Sequence, residues 1–259
     1  MGFDLHTTHV LNGSKPPAFA DRLLVGMANG VATPASANAV TSLGTITPGS
    51  GFTNVNTVSL APSGGTGSGL QAVATSLKAV SATVVNQGTS GYAVSDTITL
   101  ANGVVLTVAS VSSGKVATVT VSTPGSFAGQ VATNPVAQAS TSGSGVGTPT
   151  FNVSYGINTV QITDSGNYSV APSMTVTDSA GGTGASIAAG TLGGNGNTVY
   201  KYIPFGLPSA YNVHVEAGMD CRHYVPPSLK TNSGFTVALV PTTTGTTIAA
   251  GSIDATVFA

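Results

Sequence analysis

Apolar and hydroxyl side chains alternate over several short stretches, among them Asn56-Thr57-Val58-Ser59-Leu60, Asp96-Thr97-Ile98-Thr99-Leu100 and Ser173-Met174-Thr175-Val176-Thr177. A period of two turns every second side chain to the same face, so each stretch reads as a half-buried β-strand. Further strands are expected at Lys115 to Val121, Asn212 to Glu216, Gly234 to Val240 and Ser252 to Phe258. No segment sustains helical spacing with caps for three turns, and Ala18 to Met27 is the best stretch for a short helix. The pattern predicts an all-β protein.

Four segments share a small turn followed by an aromatic residue: Pro48-Gly49-Ser50-Gly51-Phe52, Gly88-Thr89-Ser90-Gly91-Tyr92, Pro124-Gly125-Ser126-Phe127 and Asp164-Ser165-Gly166-Asn167-Tyr168. Phe52, Tyr92, Phe127 and Tyr168 recur at intervals of 40, 35 and 41 residues, the range of a supersecondary unit used repeatedly. Glycine-rich links follow at Gly64-Gly65-Thr66-Gly67 and Gly181-Gly182-Thr183-Gly184, with a looser Ser142-Gly143-Ser144-Gly145 and an Asn102-Gly103 in the other two. Each unit reads as a short β-meander whose aromatic plugs its own base. The apolar residues of this region are mainly Val and Ala. Burying a Val contributes roughly 1.5 kcal/mol while ordering a residue costs about as much, so one unit alone is marginal and must stack on others.

Composition separates the middle of the chain from its ends. Charged residues are only 6% of the 259 positions, against about 25% in an ordinary soluble domain. All four histidines and ten of the fifteen charged residues lie outside 46–196. The expected organisation is therefore an N-terminal arm and first part of a base domain (1–45), an inserted β-repeat region (46–196) and the remainder of a β-sandwich-like base (197–259). A formal charge of −1 leaves little repulsion between copies, which points to association. Seven scattered Lys and Arg make no basic stripe for nucleic acid, and no apolar run approaches the ~20 residues of a membrane-spanning helix. No export signal is visible at the start, so synthesis in a cytoplasm is expected.

The densest reactive group is His214, Glu216, Asp220, Cys221 and His223. In an extended strand His214 and Glu216 share a face, and a turn at Gly218 can return His223 toward them, which would suit two imidazoles and a carboxylate on a metal. No known ligand spacing is matched, so polar residues at a sheet edge or subunit contact are the preferred reading and no metal is expected. His6 and His9 are likewise read as interface groups. Neither a nucleophile elbow nor a phosphate-binding glycine loop occurs, and the chain has no Trp for a carbohydrate platform, so neither a catalytic residue nor a cofactor is expected.

The segment Gly166-Asn167-Tyr168-Ser169-Val170-Ala171-Pro172-Ser173-Met174-Thr175-Val176-Thr177 with its following Gly181-Gly182-Thr183-Gly184 resembles repeats common in tailed-bacteriophage virion proteins. Ile203-Pro204-Phe205-Gly206 through Phe258 is similar to the short β-domains of capsid decoration proteins. The resemblance implies a cement protein on the capsid surface that bridges subunits of the major capsid protein, often as a homotrimer. It also implies an N-terminal clamp within Met1 to Pro17, and His6, His9, Lys15 and Arg22 are the expected capsid-binding residues. The alternative is a tail or head fibre contacting host-surface glycans through its repeats.

Overall fold

The computed structural model describes residues 24–194 and 196–259. Nineteen strands and three single-turn 3-10 segments (Ser36–Asn38, Val55–Thr57 and Pro227–Leu229) account for its regular structure, and no α-helix occurs among the described residues. The fold is all-β, built from several antiparallel sheets. Of the helix expected over Ala18 to Met27, residues 18–23 lie outside the described residues, and the rest is a correction: Leu24–Thr33 is a strand paired with Gly251–Phe258. Gly26 and Gly30 weaken any helix there. The Phe205 ring lies so close to Gly26 that a β-carbon at that position would stand 2.4 Å from Cζ.

The chain divides into two compact units. A base unit comprises the described residues up to Thr41, Thr163–Asn167 and Leu192–Ala259, and an insert unit comprises Ser42–Ile162 and Tyr168–Thr191. Divisions therefore fall at 41/42 and 191/192, where the sequence suggested 45/46 and 196/197. Thr163–Asn167, read from sequence as part of the repeat region, belongs to the base. The reason is a set of specific bonds: Lys201 Nζ donates to Asp164 Oδ2 at 2.9 Å, Tyr202 N–H to the same oxygen at 3.2 Å, and Tyr200 N–H to Ser165 Oγ at 3.0 Å.

In the base unit, a three-stranded sheet has the order Leu24–Thr33, Gly251–Phe258, Asn212–Ala217. A second sheet joins Val199–Pro204, Gly234–Pro241 and Cys221–Tyr224, with Lys230–Thr231 also on Gly234–Pro241. Alternation sends Ile253, Ala255 and Val257 of the first sheet and Phe235, Val237 and Leu239 of the second into one shared core, a sandwich-like packing. Thr236 faces away from that core yet is buried, because its hydroxyl donates to the Thr163 carbonyl at 3.1 Å.

In the insert unit, the strands following the four aromatic turns pair in a nested order. Val58–Ser63 of the first segment runs antiparallel to Ser173–Asp178 of the fourth, from Val58 opposite Asp178 to Ser63 opposite Ser173. Thr97–Leu100 of the second pairs with Val136–Thr141 of the third. The first link is a tight reversal: Gly64 and Gly65 hold φ of 67° and 75°, the positive pair a two-residue type I′ hairpin requires. Two 21-residue strands, Thr66–Asn86 and Thr150–Val170, complete a six-stranded sheet in the order 66–86, 150–170, 136–141, 97–100, 105–112, 115–123.

That sheet closes on itself. Leu77 and Phe127 exchange backbone bonds of 2.8 and 2.9 Å, Ala79 N–H donates to the Pro124 carbonyl, and Val116 N–H donates to the Gln87 carbonyl. The enclosed core contains Leu77, Ile98, Leu100, Leu106, Phe151, Tyr155 and Ile157, none more than 2% exposed. The mutual support that thin Val/Ala units need thus comes from pairing segments far apart in the chain.

Candidate interaction surfaces

Phe52, Tyr92 and Tyr168 are buried and Phe127 is half-buried, but the expectation that each aromatic plugs its own unit requires correction. The Phe52 ring of the first segment lies under Gly182 of the fourth, where a β-carbon would approach Cδ1 to 2.6 Å. Tyr92 of the second lies between Gly88 of its own turn and Gly145 of the third, where added β-carbons would stand 2.8 Å from Cε2 and 2.3 Å from Cε1. Tyr168 Oη of the fourth accepts the Leu70 N–H just past the first glycine link, at 3.3 Å. Phe127 keeps to its own turn, over Gly125, and meets Tyr155 edge-on at 5.3 Å between centroids. Nested pairing sets the rings of Phe52 and Tyr92 against the segment whose strand pairs with their own, and joins the Tyr168 hydroxyl to the first segment's outgoing strand. These residues are structural, and burial raises the Tyr155 phenol above its ordinary pKa despite the opposing hydrogen bond from Asn102.

Asp178 fastens the same junction. Its carboxylate accepts the N–H groups of Ala180 at 3.1 Å and Gly182 at 2.7 Å, and the Thr57 hydroxyl is shared between it and the Asn54 carbonyl. Burial alone would raise its pKa, but the bonds from Thr57, Ala180 and Gly182 outweigh burial and hold it below the usual carboxylate value.

On the base unit, alternation places His214 and Glu216 on one exposed face, Nε2 to Oε1 at 3.5 Å, as their spacing requires. The other reactive residues do not join them. Cys221 packs against the base core, and its thiol pKa is raised by that burial and, secondarily, by Asp220. His223 lies on an exposed stretch of a strand in the other sheet, opposite Leu239. Among the described residues no three His, Cys, Asp or Glu side chains are grouped to hold a metal ion. Sequence reasoning missed Asp254, which the register sets directly opposite Glu216 and whose Oδ1 accepts the Gly30 N–H. Only the pairing of strands remote in sequence reveals it. His6, His9, Lys15 and Arg22 lie outside the described residues.

A concavity in the insert unit was also missed. Loop 51–53, loop 130–134 and the outward faces of the two long strands surround a cleft of about 530 Å³. Its walls are braced: Asn134 bonds the Val153 backbone twice, Nδ2 to the carbonyl at 2.9 Å and Oδ1 from the N–H at 2.8 Å, and Ser154 Oγ accepts the Gly51 N–H. Ser81, Thr83, Gln130, Thr133 and Asn152 line it with hydroxyls and amides that make no hydrogen bond among the described residues. Every lining side chain is uncharged.

The chain matches no protein-family model, curated protein or solved structure. No helix among the described residues is long and apolar enough to cross a membrane.

Proposed function

We propose that this chain is a structural protein of a tailed-phage particle that binds the outer capsid surface and stabilises it by bridging shell subunits. The observation that carries the proposal is the division of labour between the two units. The insert holds four charged residues, Lys78, Asp96, Lys115 and Asp178, whereas the base gathers most of the charge, including Asp164, Lys201, Glu216, Arg222 and Asp254. A hydroxyl-covered body with so few charges has little electrostatic resistance to close packing against like surfaces. A charged base contributed by both flanks of the insert supplies a surface able to discriminate its partner.

In this reading the base is the attachment module and His6, His9, Lys15 and Arg22 add contacts to the major capsid protein. A homotrimer, synthesis in the host cytoplasm and residence on the virion surface follow from the same resemblance to decoration proteins. The test is reconstitution: purified full-length protein is added to shells lacking it, followed by electron microscopy and heating. Saturable, symmetric occupancy with a raised disruption temperature supports the proposal. Absence of binding at high protein concentration overturns it.

A further inference from the structure

We infer that the braced cleft of the insert unit binds a neutral oligosaccharide, a short run of uncharged hexoses, independently of any attachment to a capsid.

Two properties of the cleft select this ligand class. First, its volume of about 530 Å³ falls in the range of roughly 300–1,000 Å³ found for small-molecule sites. Second, the free groups are two carboxamides, Gln130 and Asn152, and three hydroxyls, Ser81, Thr83 and Thr133, all able both to donate and to accept. A sugar hydroxyl also does both, so each can be matched without a charged partner. Phosphates, carboxylates and ammonium groups would enter with no opposite charge lining the site, and their desolvation would be uncompensated.

The site is also prepared in advance. The two-way bond of Asn134 to Val153 and that of Ser154 to Gly51 hold both loops against the strands. The backbone that carries the five free polar groups is thereby fixed, so binding has to order side chains but not loops. Thr177, by contrast, is exposed on a strand outside the cleft.

The experiment uses the full chain and a panel of neutral trisaccharides (cellotriose, maltotriose and mannotriose), with trigalacturonate as the charged comparison, read by ligand-observed NMR and calorimetry. At least one neutral trisaccharide should bind saturably with a Kd of about 1 mM or tighter, and trigalacturonate at least tenfold more weakly. Gln130→Ala combined with Asn152→Ala should weaken binding at least about tenfold, while Thr177→Ala leaves it unchanged. Both changes remove exposed side chains without internal bonds, so unchanged melting curves check that the fold survives. Failure of all three neutral ligands to bind, equal binding of the acidic one, or binding insensitive to the double substitution overturns the inference. Capsid attachment is measured separately, so neither result decides the other.

Discussion

Gly182 lies so close to the ring of Phe52 that a methyl group in place of its hydrogen would meet Cδ1 at 2.6 Å, although 130 positions separate the two residues in the chain. The ring is 1% exposed and packed in the core of the insert unit. The small residue at 182 is thus demanded by a neighbour that belongs to another segment.

Gly182→Ala and Gly145→Ala, the latter against Tyr92, should each destabilise the protein by about 1–3 kcal/mol through overpacking. Gly129→Ala is the comparison, because nothing lies within 4 Å of its would-be β-carbon. Urea denaturation should show a lowered midpoint for the first two and little change for the third.

Asp178 predicts an acid-sensitive junction. Its folded-state pKa lies below the unfolded value of about 3.9, so its contribution is fully present above that value and is lost as pH falls through the folded pKa. Asp178→Asn should therefore be less stable than the parent at pH 7, and the difference should shrink as the pH is lowered below about 4. Denaturation midpoints of both proteins across this range provide the check.

The ion pair of the base unit is a third test. Asp164 is almost fully buried, with 4% side-chain exposure, and Lys201 only 24% exposed. Lys201→Met leaves a buried carboxylate held by backbone N–H groups alone and should cost about 3 kcal/mol. Lys115→Met, on an exposed strand end, should stay within about 0.5 kcal/mol of the parent.

Glu216 and Asp254 predict a change of opposite sign. Like charges directly opposite each other on antiparallel strands repel, and Asp254 is committed to the Gly30 N–H. Glu216→Gln should raise stability by a few tenths of a kcal/mol at low salt, with the gain fading as salt screens the pair. Thermal melts at two ionic strengths would show it.

What could be read from sequence was local. Ser173–Asp178 and Gly251–Phe258 were legible because alternation is a property of one strand and survives without knowledge of its neighbour. The 21-residue strands were not, since Ser76 and Leu77 of Thr66–Asn86 are both buried and the alternation slips there. Leu24 to Met27, the described end of the stretch read as a helix, was misread because Leu and Met favour a helix locally, while pairing of Leu24–Thr33 with Gly251–Phe258 decided otherwise. The nested pairing was beyond reach, because many Thr/Val strands of similar chemistry offer interchangeable partners. The cleft shares that limit: Ser81, Gln130 and Asn152 are ordinary polar residues until the fold converges them.

The contact between Gly30 and Asp254 spans 224 positions, and the whole Leu24–Thr33 strand takes its partner from the same remote stretch. At translation rates of about 5–20 residues per second, the Leu24–Thr33 strand waits roughly 10–45 s on the ribosome for its complement, while every pairing of the insert can already have formed. A polypeptide halted before Gly251 would hold every strand of the insert, while in the base Leu24–Thr33 and Asn212–Ala217 would lack the strand that joins them into one sheet.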